Sequence, residues 1–334
     1  MEGKGICFGK KVLILGAAGS VGSSLSKKIL RQGVEKLMLF DNNESGLFDL
    51  EEELIFSSGG NEGKIEMRVG DIRDNDSLKS VFEDFRPDIV YHAAAYKHIH
   101  LMEKFYAEAV KNNILGTYNV LKICKELGVQ RFVFISTDKA VNPVSIMGMS
   151  KRIGELLVKS IGGERYVSVR FGNVERSRGS VIPLFEKQIE RGGPVTITDE
   201  NMERYFISND GACELIFKAT ELADNREVFV LDMGNPKRIV DIAREMIINS
   251  GKDVEVKIIG KRAGERLGEE LFSHDELRRI NGDILVLKNG EFDGDLFLGN
   301  VEGLFREIGK MDYVQCKKEL LRICELGRVL RKEG

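Results

Sequence analysis

Seven short apolar runs recur along the chain with helical segments between them. This alternation limits the possible folds more than any other feature. The runs are Val12–Leu15, Lys36–Phe40, Ile65–Val69, Ile89–His92, Arg131–Ile135, Tyr166–Arg170 and Val228–Leu231. The spacing of apolar residues predicts helices over Ser20–Arg31, Ser77–Phe85, Ala107–Leu127, Ile146–Ser160, Asp210–Leu222 and Arg238–Ile248. Strand and helix in this order give βαβ units and a parallel sheet. Nearly continuous apolar strands fit a sheet covered on both faces. At 334 residues the chain can bury a full core with a lobe beside it. The expected class is α/β, a Rossmann-type doubly wound parallel sheet with a smaller C-terminal substrate-binding lobe. The nucleotide-binding domain is expected over 1–172, with segments near 205–235 interleaved, and 173–334 form mainly the lobe. Pro183, Gly192-Gly193-Pro194 and Gly260–Gly264 punctuate that second part.

Charge and composition exclude several partners. A net charge of -3 gives no electrostatic reason for nucleic acid or an anionic membrane. No apolar run approaches the roughly 18 residues that span a bilayer, and Met1–Lys11 lacks a signal peptide's apolar segment. Cys7, Cys124, Cys213, Cys316 and Cys324 form no close-spaced metal pair and read as reduced, mostly packing thiols of the cytoplasm. No metal site is expected.

The first strand runs into Gly16-Ala17-Ala18-Gly19-Ser20-Val21-Gly22, which opens a helix. Glycines there permit a tight turn and close approach to a pyrophosphate. The helix N-terminus adds backbone N–H groups and its dipole. Asp41 ends the second strand 19 residues after Gly22, the context of a dinucleotide site. Its carboxylate would accept from the adenine-ribose hydroxyls and repel a 2′-phosphate. Asp41-Asn42-Asn43-Glu44 offers no compensating base, so NAD is favoured over NADP. Asp71-Ile72 could border the adenine, or Asp71 could be a turn or helix-capping acid. Ala93 and Ala94 follow the fourth strand as small residues, suited to a cofactor's middle or to helix packing.

Ser136 to Lys151, S-T-D-K-A-V-N-P-V-S-I-M-G-M-S-K, follows the fifth apolar run. It has the spacing of a dehydrogenase Ser/Thr followed by Tyr-x-x-x-Lys, with Met147 in the tyrosine's place. A thioether cannot accept a proton. Asp138 and Lys139 put an acid and a possible base at the strand's end, or an ordinary loop ion pair. Met147 and Lys151 lie four apart and share a helix face.

Taken in order, several segments resemble the nucleotide-sugar 4,6-dehydratases of the extended short-chain dehydrogenase/reductase superfamily. They include G-A-A-G-S-V-G, L-F-D-N-N-E, G-D-I-R-D, H-A-A-A-Y-K-H, S-T-D-K-A-V-N-P, R-F-G-N-V, G-S-V-I-P-L-F, R-Y-F and G-E-R-L-G-E-E-L. The likeness is strongest to UDP-N-acetylglucosamine 4,6-dehydratases and covers roughly residues 10 to 272. Methionine before the helical lysine is similar to the configuration-retaining branch. Many of its members carry membrane helices and a further domain. This chain begins about ten residues before its first strand, as expected of a free-standing soluble form.

The resemblance implies NAD as cofactor, a UDP-sugar substrate and a homo-oligomer. It implies Lys139 as base and Asp138 as acid, with Lys151 on the nicotinamide ribose and Thr137 on the sugar's 4-hydroxyl. The acceptor of that hydroxyl's proton stays open among Lys151, Asp138 and a relayed water. Lys97 suits an approach to sugar or phosphate, or a place on the surface. Asn113 is similar to a helix asparagine that supports the active-site backbone, and Asn173 to a diphosphate ligand. Arg204 and Arg262 suit phosphate as planar forks, and Glu265 and Glu269 suit the uridine or ribose side. Val174-Glu175-Arg176-Ser177 departs from the commoner V-L-G-S, which leaves the nucleotide and sugar open. The alternatives are a C4 epimerase, which would usually keep tyrosine at 147, and a non-catalytic NAD-binding protein.

Overall fold

The computed structural model describes residues 5–58, 62–273, 276–282, 284–288 and 292–327. β1 (Lys11–Leu15), β2 (Lys36–Asp41) and β3 (Ile65–Val69) alternate with α1 (Ser20–Arg31), α2 (Glu44–Ser58) and α3 (Asn75–Phe85). β4 (Ile89–His92) leads through α4 (Ile99–Lys104) and α5 (Tyr106–Ala109) to a widened turn at Val110–Leu115 and α6 (Gly116–Glu126). β5 (Arg131–Ile135), α7 (Ile146–Ile161) and β6 (Tyr166–Arg170) follow. A lobe is then built from β7 (Asn173–Val174), α8 (Val181–Glu190), β8 (Val195–Ile197), β9 (Glu203–Arg204) and β10 (Phe206–Ile207). α9 (Asn209–Leu222) and β11 (Val228–Leu231) rejoin the main sheet. β12 (Lys237–Arg238), α10 (Ile239–Ser250) and β13 (Val256–Ile258) belong to the lobe, and β14 (Leu277–Asn281), β15 (Ile284–Lys288), α11 (Gly294–Glu307) and α12 (Tyr313–Leu326) come last.

The main sheet runs β14-β15-β11-β6-β5-β4-β1-β2-β3. Its strands are parallel from β3 to β11, and β15 and β14 add an antiparallel edge. The order reverses between β1 and β4, where a doubly wound sheet opens a crevice at its carboxyl edge. Leu13, Phe40, Phe132 and Phe134 face the layer of α3, α6 and α7. Ile14, Leu39, Val133 and Val169 face α1, α2 and α9. Each such fully buried side chain contributes about 1.5–3 kcal/mol. The lobe has its own small core around Phe185, Ile197, Ile239 and Ala243.

Two features refine the sequence expectation. The helix over 107–127 forms, but it widens over Val110–Leu115. Its widened turn places buried Asn112 and Asn113 among side chains of other elements, a distortion that helices show often at functional sites. The apolar residues of this stretch, such as Val110, Ile114 and Leu121, are buried in the chain's own core. Within 173–334, β11, β14 and β15 join the main sheet and α11 and α12 its helical layer. β15 covers the edge that β11 would otherwise leave unpaired. Phe297, Val301, Leu320 and Ile323 of α11 and α12 pack with Leu156 of α7.

Candidate active site

The crevice at the β1/β4 switch opens into a cleft of about 620 Å³, lined from Gly19–Gly22 through Lys139 to Arg262. Its dinucleotide end is made by backbone proximity. Gly16 has φ +81, and a Cβ on it would lie 2.5 Å from the Ala94 nitrogen. A Cβ on Gly22 would lie 2.2 Å from the Gly16 carbonyl oxygen. Any side chain at either position would force the turn, β4's end and α1 apart. Gly19 precedes α1 in extended conformation, so Ser20 and Val21 carry unpaired first-turn N–H groups to the cleft. Ala18 donates its N–H to Asp41 Oδ2 at 2.9 Å, and Asn43 donates to Asp41 Oδ1 at 3.0 Å.

The remaining cofactor-side residues divide. Ala93 lines the cleft. Asp71 is held by Arg73, whose Nε and Nη2 donate to its carboxylate. That guanidinium lowers the Asp71 pKa, and the Asn42 amide adds to the effect. Ile72 is buried in the core beneath Gly116.

Ser145 caps α7, its Oγ accepting from the Gly148 N–H at 3.0 Å, which fixes the helix's first turn. Met147 and Lys151 are thereby presented to the cleft. Met147 is 4% exposed. The Lys151 Nζ stands 3.9 Å from the centre of the Phe134 ring. Burial pulls its pKa down to about 7, against the opposing charge of Glu155. A substantial share of this amine is neutral near pH 7.

After β5 the chain places Thr137 and Lys139 on the cleft wall and Asp138 behind them. Asp138 Oδ1 accepts from the Thr137 hydroxyl at 2.8 Å and from Lys139 Nζ at 2.9 Å. Lys139 Nζ also donates to Asn173 Oδ1 at 3.0 Å. One amino group therefore joins the end of β5 to the first residue of the lobe. Asn113 Oδ1 accepts from the Tyr96 N–H, and its amide donates to the Tyr96 carbonyl and to Ser150 Oγ. This ties the loop after β4 to α7.

Lys97, in the loop after β4, stands at the rim facing the lobe's Arg178, and desolvation followed by the Arg178 charge lowers its pKa. Arg204 is buried. Its Nη1 donates to the carbonyls of Glu203 and Leu267, and its Nη2 to that of Arg266. It thus staples the 266–267 loop while bordering the cleft. Arg262 and Glu265 face the cleft from a turn in which the Arg262 N–H donates to Glu265 Oε2 at 3.0 Å.

The chain matches the polysaccharide biosynthesis protein family over residues 12–286. It belongs to that family. It is 44% identical over 275 residues to the capsular polysaccharide biosynthesis protein CapD of Staphylococcus aureus, covering 80% of this chain and 46% of that one. The chain thus spans about half the length of that relative. It is 35% identical over 276 residues to a UDP-N-acetylglucosamine 4,6-dehydratase (inverting) of Campylobacter jejuni, covering 80% and 79%. Among solved structures, Pen from Bacillus thuringiensis matches with TM-score 0.79 and 34% identity over 84% of this chain and 90% of that one. The Thermus thermophilus UDP-glucose 4-epimerase, solved in complex with NAD, matches with TM-score 0.66 and 25% identity over 78% and 89%. The fold is that of the extended short-chain dehydrogenase/reductases.

Sequence reasoning missed one group in this family member. Glu155 accepts from Ser136 Oγ at 2.6 Å and from Arg170 at 2.7 Å on each carboxylate oxygen. Arg170 also reaches Glu276, and Arg152 bridges the two glutamates. The signal was available: Arg170 closes a strand that is otherwise Y-V-S-V, and a buried arginine demands carboxylate partners.

Proposed function

We propose that this chain is an NAD-dependent nucleotide-sugar 4,6-dehydratase that converts UDP-N-acetylglucosamine to its 4-keto-6-deoxy product. The observation that carries the reading is the Thr137–Asp138–Lys139 cluster on the cleft wall beside Met147 and Lys151. The likeness to the Campylobacter jejuni dehydratase supports the substrate class.

NAD fits the residues present. Gly16 and Gly22 leave a cradle that a Cβ would fill, α1 points its N-terminus at it, and Asp41 stands at the end of β2. The glycine turn would hold the pyrophosphate, Asp41 the adenine ribose and Lys151 the nicotinamide ribose. When bound, NAD supplies a reversible hydride acceptor next to the sugar.

The chain's own residues then divide the proton work. A C4 ketone makes the C5 hydrogen acidic. Lys139, in its amine form, removes that proton. Asp138, through the Thr137 hydroxyl, serves the departing C6 oxygen. Asn173 orients Lys139, and Arg262 with Lys97 draws the diphosphate. Surface polysaccharide or glycan precursor synthesis is the fitting role.

Product NMR after incubation with UDP-N-acetylglucosamine tests the reading. A 4-ketone formed with catalytic amounts of NAD is expected. An epimer mixture at C4 would replace the reading with an epimerase, and unchanged substrate would leave a binding role. Deuterium placed at C4 should appear at C6.

A further inference from the structure

A second carboxyl lies behind the cleft wall. The Glu269 side chain is 2% exposed, and its Oε1 stands 4.0 Å from Arg204 Nη2, beyond hydrogen-bond reach. Its Oε2 is buried with no hydrogen-bond partner. Asp138 has the matching feature. Its Oδ1 is taken by Thr137 and Lys139, and its Oδ2 is buried with no partner.

The charges facing Glu269 come from the loop after β5, from β9 and from its own loop: Lys139, Asp138, Arg204 and Arg266. Burial raises its pKa most; Lys139 then lowers it, Asp138 raises it, and Arg204 and Arg266 lower it, in that order. Two buried carboxylates whose charges act on one another resist being ionised together. A single proton held by the two removes one of the buried charges.

We propose that Glu269 and Asp138 form one carboxyl pair holding a single proton, with Glu269 the positioning residue that keeps this proton available to Asp138. The inference rests on the dehydratase reading. Met147 leaves the sugar's 4-hydroxyl without a phenol to receive its proton. Thr137 donates its hydrogen to Asp138 and keeps a lone pair for that hydroxyl. The 4-hydroxyl proton passes to Thr137 Oγ1 as Thr137 passes its own to Asp138. The pair then holds two protons. One returns through the same hydroxyl to the C6 oxygen, which leaves as water, and the pair is back to one. The C5 proton goes to Lys139 and later returns from it, so protons balance over the turnover.

Infrared spectra of the purified protein in D₂O at neutral pH read the pair without substrate. Wild type should show the C=O stretch of a protonated carboxyl. Glu269→Gln should lose it, and Asp138→Asn should weaken it, because the Asp138 charge is one of the two influences that favour a protonated Glu269. With UDP-N-acetylglucosamine, Glu269→Gln should lower kcat about 100-fold with KM nearly unchanged, and Glu269→Asp should restore part of the rate. A wild-type spectrum without the band, or a band that survives in Glu269→Gln, overturns the pairing whatever the substrate proves to be. Wild-type turnover by folded Glu269→Gln overturns its part in the reaction. If wild type shows the band but leaves this substrate unchanged, the substrate reading falls and the relay to the sugar falls with it, while the pair stands.

Discussion

Lys139 Nζ sits 3.0 Å from Asn173 Oδ1, so the candidate base is anchored by the residue that begins the lobe. Its other bond, to Asp138, is 2.9 Å long. Two fixed acceptors hold the amine in one place on the cleft wall. Lys139→Ala should lower kcat at least 100-fold while changing substrate affinity little, because a base is needed only after C4 is oxidised. Asn173→Ala should have a smaller effect on kcat. Steady-state kinetics with binding isotherms separate the two, and near-normal turnover of Lys139→Ala removes this lysine from the mechanism.

Lys151 should make stability depend on pH in a definite direction. Its folded pKa is about 7, against about 10.4 in an unfolded chain. Between these values folding must strip a proton from the amine. Stability therefore rises with pH from about 7 to about 10 and is penalised in full below about 7. Lys151→Met in dinucleotide-free protein should be stabilising at pH 7 by on the order of 4 kcal/mol, with the gain fading by about pH 10. Urea melts at the two pH values decide it. An equal gain at both would show that the amine is charged in the folded protein.

Much of this arrangement was legible in the sequence. Arg131–Ile135 and Tyr166–Arg170 fold as the strands their apolar residues suggest, since burial on both sheet faces leaves a one-dimensional mark. The widened turn at Val110–Leu115 left none, because its residues suit an ordinary helix and only Tyr96 and Ser150, distant in sequence, reveal why Asn113 turns inward. Arg204 was named as a phosphate fork, but its stapling of the 266–267 loop was unreadable for another reason. Its partners are backbone carbonyls, which every residue has. Asp138 could be named but not placed, because its position behind Thr137 depends on packing.

The Glu155–Arg170–Glu276 group should be an all-or-none element of the fold. Arg170 is fully buried, and both carboxylates lean on it. Burial pushes the Glu155 pKa up, but the Arg170 charge outweighs it and holds the carboxyl well below the usual carboxylate range. Arg170→Met leaves buried Glu155 and half-buried Glu276 short of their main cation and should cost about 3–5 kcal/mol. Glu276→Gln, at a side chain 12% exposed, should cost less. Denaturant midpoints at constant slope measure both, and a larger loss in the glutamine variant would reverse the assigned order.

Met147 bears on the stereochemical outcome. It lies in the cleft wall one helical turn before Lys151, where it can neither take nor give a proton. Configuration at C5 then depends on which face of the sugar meets Lys139. If the same amine removes and returns the C5 proton, it does so on one face, and the D-gluco configuration is kept. The expected product is UDP-2-acetamido-2,6-dideoxy-α-D-xylo-hexos-4-ulose, with deuterium at C5 after turnover in D₂O. Met147→Tyr alone should leave that outcome unchanged, because a phenol at 147 would meet the 4-hydroxyl and not C5. Coupling constants in the product spectrum decide it. A freshly formed L-arabino product would mean that a proton reaches the opposite face, from a donor other than Lys139.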